Sequence, residues 1–308
     1  MTLPPEAERV LADGTLCYLA ASTPRGPHLT PVVFAFDRGR LWATTARRTV
    51  KARAWRRDPR AAGLVRHADR AVAFRGRVEV YDVLDPNTWE AGLRRAPALL
   101  RATARFSLKN ARYFAGYARD ARRIPLAWTP PGRVLVAIEP EDVALLDGGR
   151  VVESHGKWAA RATGRRGFEV GGVAALPEPP DDVEMPAEGE GVVALESARG
   201  NTVVPVRWRR RDAEGTYYLA ASRAALALAG ARAAQRASLV VDRSSAWRAA
   251  QMRGAMLRGE AELFLPTARG WDDAVTSAGI GEPETLLRLR PSGLVWWSGW
   301  TSGTVGRP

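Results

Sequence analysis

Residues 39–65 read GRLWATTARRTVKARAWRRDPRAAGLV, and the fold follows from how this stretch divides. A turn at Asp37-Arg38-Gly39 opens into a strand over 41–45, which ends in Thr44 and Thr45. A basic loop, Arg47-Arg48-Thr49, leads into a short helix carrying Lys51, Arg53, Trp55 and Arg56. The helix stops at Asp58, because Pro59 disfavours helical geometry in the residue before it. Residues 61–65 are apolar and read as the next strand. Hydroxyls and cations therefore crowd a helix start, where free N–H groups and the positive dipole end favour a phosphate. Of the 46 Lys and Arg residues, only Lys51, Lys109 and Lys157 are lysines. A compact ammonium and a planar guanidinium suit different sites. The candidate anion-binding residues are thus Thr44, Thr45, Arg47, Arg48, Thr49 and Lys51; a solvated basic helix is the alternative reading.

A chain of 308 residues, 46% hydrophobic, has room for two packed domains. The net charge of +13 admits nucleic acid, a membrane surface or an anionic ligand as partner. The excess is almost wholly arginine in an Ala- and Arg-rich chain, so no nucleic-acid partner is expected. Cys17 is the single cysteine, which excludes an intrachain disulfide framework, supplies no zinc-ligand cluster and fits a reducing compartment. The start, MTLPPEAERV, lacks a cationic-then-apolar signal pattern. No apolar run approaches the ~20 residues of a membrane helix. The expectation is a cytoplasmic protein with no metal and no membrane contact.

Around the opening stretch, 3–13 reads as a helix, 16–20 and 28–36 as a hairpin, and 62–65 and 72–81 as strands. Arg75-Gly76-Arg77 marks a bulge in the last of these. Residues 86–123 read as a basic helical insertion with Trp89, Leu93, Leu99, Leu100, Phe106, Tyr113, Phe114 and Tyr117 on one side. Residues 134–138 are the last strand expected before Pro140. The same landmarks then return in the same order. Gly191-Val192-Val193-Ala194-Leu195 answers the first strand, and Val204-Pro205-Val206 answers Thr30-Pro31-Val32. Gly215-Thr216-Tyr217-Tyr218-Leu219 answers Gly39-Arg40-Leu41-Trp42-Ala43, and Arg258-Gly259-Glu260 answers Arg75-Gly76-Arg77. Leu289-Arg290-Pro291 answers Ile138-Glu139-Pro140. A tandem duplication of one small β-rich domain follows. The halves are 1–175 and 191–308, and 176–190, proline-rich and purely acidic in its charges, reads as an extended linker.

This order of elements resembles the flavin-binding split barrel of the pyridoxamine 5′-phosphate oxidase superfamily. The likeness rests on Thr45, Thr49, Lys51 and Asp58-Pro59, and on Arg75-Gly76 where the family has its strand-five glycine. It implies a mainly β protein: two tandem six-stranded, Greek-key split barrels packed as an intrachain pseudo-dimer. It implies flavin mononucleotide (FMN), a deazaflavin coenzyme or, less readily, haem in the groove between barrels. The phosphate would be held by the loop and helix of the first barrel. Departures are Ala71, where a true pyridoxal phosphate synthase has Gln, and the tail Trp296-Trp297-Ser298-Gly299-Trp300 in place of Arg-Leu-His. The tail tryptophans stack on a flat ligand or pack in the interface.

Aligned at Gly215, Ala221, Ala225 and Ala227 correspond to Thr45, Thr49 and Lys51; aligned at Val240, Leu226 corresponds to Lys51; either way the cation is gone and at most one phosphate site per chain is expected. The implied function is an FMN- or deazaflavin-dependent oxidoreductase acting on a small organic molecule, with catalytic residues unassigned. The alternative is a non-catalytic flavin- or haem-binding sensor, for which His28, His67 and His155 are the imidazoles available. A monomer should suffice for binding, with further self-association open.

Overall fold

A computed structural model describes residues 3–306, apart from 121, 123, 125–131, 159–182, 184, 212–214, 245–247 and 269. Seven strands form the first barrel: β1 (Leu16–Thr23), β2 (Gly26–Asp37), β3 (Arg40–Ala46), β4 (Arg60–His67), β5 (Arg70–Tyr81), β6 (Arg133–Asp147) and β7 (Arg150–His155). The sheet runs β3-β2-β1-β4-β5-β6-β7, and β3 also pairs with β6, which closes six antiparallel strands into a barrel. The second barrel repeats this strand for strand. It contains β8 (Glu188–Ser197), β9 (Gly200–Arg211), β10 (Thr216–Ala221), β11 (Ala234–Asp242), β12 (Arg253–Phe264), β13 (Thr285–Ser298) and β14 (Thr301–Gly306), closed by β10 and β13.

The duplication holds at the level of register. Tyr18 lies opposite Pro31 in one barrel and Val192 opposite Pro205 in the other. Each barrel has a bulge before its strand-five glycine, so Gly76 faces Pro140 and Gly259 faces Pro291. This corrects the expected end of the strand at 134–138, since β6 runs straight through Pro140. Proline has no N–H to give a ladder, but at a bulge the ladder skips a residue and none is needed. Glycine fits opposite because a Cβ on Gly76 would strike the Glu139 carbonyl oxygen, and one on Gly259 the Arg290 carbonyl oxygen.

Alternation sorts β1 between two cores. Cys17, Leu19 and Ala21 face the barrel interior with Phe34, Leu41, Phe74 and Ile138. Ala20 faces the other way, in one apolar cluster with Leu29, Leu64, Val203, Val240 and Met256 that joins both barrels. Polar bonds repeat across the joint: Ser238 Oγ donates to the Pro27 carbonyl at 2.5 Å, and Asn201 Nδ2 to Ser22 Oγ at 3.1 Å. The barrels thus pack as an intrachain pseudo-dimer. The expected linker, 176–190, lies mostly outside the described residues, and 188–190 already belong to β8.

The helices are α1 (Pro5–Asp13), α2 (Val50–Arg57), α3 (Trp89–Arg94), α4 (Ala96–Lys109), α5 (Ala111–Asp120), α6 (Arg223–Ala229) and α7 (Trp271–Ala278). The helical insertion consists of α3, α4 and α5, with breaks at Arg95 and Asn110. Its apolar stripe divides. Phe106 and Tyr113 are buried against β2 and the second barrel, whereas Leu93 and Leu100 are 77% and 74% exposed. Among the described residues, no helix is long and apolar enough to cross a membrane.

Candidate functional site

Thr49 caps α2. Its Oγ1 accepts from the Ala52 N–H at 3.3 Å and donates to the Ala46 carbonyl at 2.8 Å. With its proton so committed, Thr49 receives the Thr45 hydroxyl at 3.1 Å. Two residues into α2, Lys51 turns inward and is 5% exposed. Its Nζ donates to Thr30 Oγ1 on β2 at 2.6 Å, and among the described residues no carboxylate pairs with it. Burial pushes the Lys51 ammonium down to about 7; Cys17 opposes the shift and Arg133 adds to it. An ammonium with three protons, one bond and no counter-ion is matched to an arriving anion.

Arg133 belongs beside this group, although nothing in the local sequence marks it. It opens β6 directly opposite Ala46, and its Nε and Nη2 donate to Thr44 Oγ1 at 3.1 and 2.9 Å. Burial lowers its guanidinium despite the neighbouring Tyr117 and Tyr113. The available signal is an arginine at the foot of the strand that closes against β3. Arg47 is drawn elsewhere: it pairs with Asp82 at 2.8 Å, whose other oxygen takes Arg56 at 2.6 Å. Arg48 is exposed. Of the six sequence candidates, Thr45 and Thr49 bond to each other, Lys51 turns to Thr30 instead, Thr44 binds Arg133, Arg47 is paired with Asp82 and Arg48 is exposed.

His28 on β2 is buried, and burial, Lys51 and Arg258 of the second barrel together push it down to about 3. It is therefore neutral, and its Nδ1 has no hydrogen-bond partner among the described residues. His67 ends β4, and His155 pairs with Glu153 at 2.7 Å. The tail tryptophans pack across the joint. Trp300 meets Tyr117 of α5 edge-on at 5.0 Å, and Trp297 donates to Ser244 Oγ at 3.3 Å. Tyr113 donates to Met252 Sδ at 3.4 Å, and Asp120 pairs with Arg248 at 2.6 Å. The insertion thus packs between β2 and the second barrel.

The pseudo-symmetric position lies at the start of α6. Ser222 caps that helix and donates to the Gly149 carbonyl at 2.8 Å. The loop before α6 is shorter than the one before α2. Ser222 therefore stands where Thr49 stands, and Ala224, not Ala227, where Lys51 does. Strand register puts Ala221 at the place of Thr45 and Glu284 at the place of Arg133. One hydroxyl survives, both cations are gone, and an acid replaces one of them. A cavity of about 670 Å³ opens here, lined by Arg66, Arg150, Asp147, Ser222 and Glu284 among others. Its lining mixes arginines with Asp69, Asp147, Glu190, Glu282 and Glu284, and at the helix start the Glu284 carboxylate, at the place of Arg133, repels an anion.

No curated protein matches the chain. Among solved structures, an FAD-binding protein from Mesorhizobium loti is 20% identical, with 47% of this chain and 95% of that one covered, at a TM-score of 0.34. An F420 reductase is 23% identical, with 46% and 98% covered, at a TM-score of 0.31. A pyridoxamine 5′-phosphate oxidase-related, FMN-binding protein from Nostoc punctiforme is 16% identical, with 69% and 94% covered, at a TM-score of 0.35. Residues 3–147, the first barrel, match the family described as pyridoxamine 5′-phosphate oxidase, and the second closed barrel of the same topology fits a tandem duplication of that split barrel.

Proposed function

We propose that the chain binds the phosphate of a flavin-type mononucleotide, FMN or a deazaflavin, at Lys51, and serves as an oxidoreductase on a small organic molecule. The observation that carries this is Lys51 itself: a buried ammonium with one hydroxyl partner and no carboxylate. Thr45 and Thr49 shape the helix start, Arg133 adds a second cation through Thr44, and Arg48 is an outer cation at the loop. Bound there, such a cofactor supplies hydride transfer, while the protein supplies position and charge. The match of residues 3–147 to the pyridoxamine 5′-phosphate oxidase family supports the reading. The units 1–175 and 191–308 give one such site between them, because Ala221, Ala224 and Glu284 strip the second helix start of its charge.

The test is fluorescence titration with FMN, a deazaflavin mononucleotide and riboflavin, the last lacking phosphate. A hydrogen bond to a charged group contributes roughly 1.5–3 kcal/mol. Lys51→Ala should therefore weaken FMN by about ten- to a hundredfold and leave riboflavin unchanged. Equal FMN affinity in wild type and Lys51→Ala would sink the site. Oxidation of the bound, reduced cofactor by candidate acceptors separates an enzyme from a carrier.

A further inference from the structure

The two copies treat their strand-five arginines differently. In the first barrel Arg75 faces Asp142 across the β5–β6 ladder. Its Nε and Nη2 both donate to Asp142 Oδ2, at 3.0 and 2.6 Å, and Nη2 also reaches the Lys157 carbonyl at 2.8 Å. Its guanidinium lies 4.5 Å over the Trp158 ring. This charge is fully met by its own barrel.

In the second barrel the residue is kept and its counter-ion is not. Arg258 precedes the same bulge and faces Gly293, where the first copy has Asp142. A Cβ on Gly293 would come within 3.5 Å of Arg258 Nη2, so an aspartate there would reach it. Among the described residues no carboxylate pairs with Arg258. Burial and the exposed Arg25 both act against its charge. A half-buried guanidinium without a counter-ion has lost part of its hydration, which an arriving anion would replace.

What stands beside it is prepared for that arrival. The Leu29 N–H donates to Met256 Sδ at 3.1 Å, so β12 crosses β2 here, two residues before Arg258. His28 adjoins Leu29, feels both Lys51 and Arg258, and keeps Nδ1 unpaired. A neutral imidazole can donate to an anion from one ring nitrogen. Ser238, opposite Arg258 in the β11–β12 ladder, donates to the carbonyl of Pro27 next to His28, so Arg258 approaches the imidazole from the second barrel and Lys51 from the first.

We propose that Arg258 and His28 form a second anion subsite, across the barrel joint from Lys51, for a carboxylate or phosphate group of the ligand. The proposal rests on the groove at Lys51 being the cofactor site. The group comes either from the substrate or from an acidic extension of the cofactor.

The experiment follows the His28 imidazole by NMR while inorganic phosphate is titrated onto the apoprotein; with three histidines the signal is readily assigned. Wild type and Lys51→Met should both show a saturable His28 shift. Arg258→Gln should weaken it about tenfold or more. Gly293→Asp restores the counter-ion that Arg75 already has, in a strand pair that the first barrel builds around the same ion pair, and should abolish the shift while keeping the melting temperature. A His28 shift that survives both Arg258→Gln and Gly293→Asp, or none in wild type, overturns the subsite. Loss of FMN discrimination at Lys51 with the His28 response intact would instead sink the cofactor assignment alone. Phosphate that still shifts His28 in FMN-saturated protein marks the subsite as the substrate's; FMN that shifts His28 and excludes phosphate marks it as the cofactor's.

Discussion

Replacing Lys51 with methionine should stabilise the ligand-free protein, and the gain should depend on pH. Burial holds the folded-state ammonium at about 7, below its ordinary value of 10.5. Between those limits the unfolded chain holds a proton that the folded chain has released. Stability from this group therefore rises with pH across the window, and the penalty is fully present below about 7. One pH unit between the two values corresponds to about 1.36 kcal/mol, so the full cost is about 5 kcal/mol. Methionine keeps the stem and removes the charge; the Thr30 hydroxyl loses its donor, which subtracts from the gain. Thermal and urea unfolding at pH 7 and 10 should show Lys51→Met more stable by several kcal/mol at pH 7, with the gap closing toward pH 10. Lys109, pushed down by burial to about 8, titrates in the same window, so Lys109→Met is the control. Cys17 does not interfere, because burial moves its thiol upward. FMN should stabilise wild type more than Lys51→Met at equal concentration. A gap that stays constant with pH, or a variant less stable at pH 7, would show that Lys51 is not an unpaired buried amine.

Asp82→Asn removes the buried acid shared by Arg47 and Arg56 and should cost about 3–5 kcal/mol, as broken buried pairs do, seen as a lower melting temperature. Gly259→Ala forces a Cβ onto the Arg290 carbonyl at a bulge; overpacking of this kind costs about 1–3 kcal/mol or more, and a variant as stable as wild type in urea would contradict the bulge geometry. Asp242 accepts from Tyr18 across the joint at 3.1 Å, and burial raises its carboxyl above the ordinary range. The folded chain keeps that proton longer, so stability falls as pH rises from about 4; melting curves of Asp242→Asn should lack that component.

The repeat is legible in the sequence because its marks are backbone marks. Gly76 and Gly259 sit at bulges, and Pro140 and Pro291 face them, so the pattern survives where side chains have changed. The length of β6 is not legible, since a proline ends a strand unless a bulge excuses it, and pairing with a distant strand decides that. The helix start is legible at Thr49, whose cap depends on near neighbours alone. Arg133 escapes a local reading because its place beside Thr44 is made by ladder pairing with β3, far away in sequence. Proximity in sequence puts Arg47 with the phosphate residues, while the fold gives it to Asp82. Loop length misleads the comparison of copies: Ser222, not Ala225, is the cap of α6.

Joining two barrels in one chain changes what substitution can do. In a symmetric dimer every change appears twice, once in each groove. Here one groove keeps Thr45, Lys51 and Arg133 while the other carries Ala221, Ala224 and Glu284. The second barrel thus lacks, in its own groove, the counterparts of the residues proposed to hold a phosphate. It also lacks the acid opposite Arg258, which faces Gly293 instead. Both differences act in one direction: they remove charge pairing that would serve the second groove or silence Arg258. The divergence leaves Lys51 and Arg258, one from each barrel, without a carboxylate partner among the described residues. An arrangement of that kind is unfavourable in an empty protein and becomes favourable with an anion bound. The charge asymmetry between the copies, more than either barrel alone, is therefore what assigns the proposed ligand to this side of the joint.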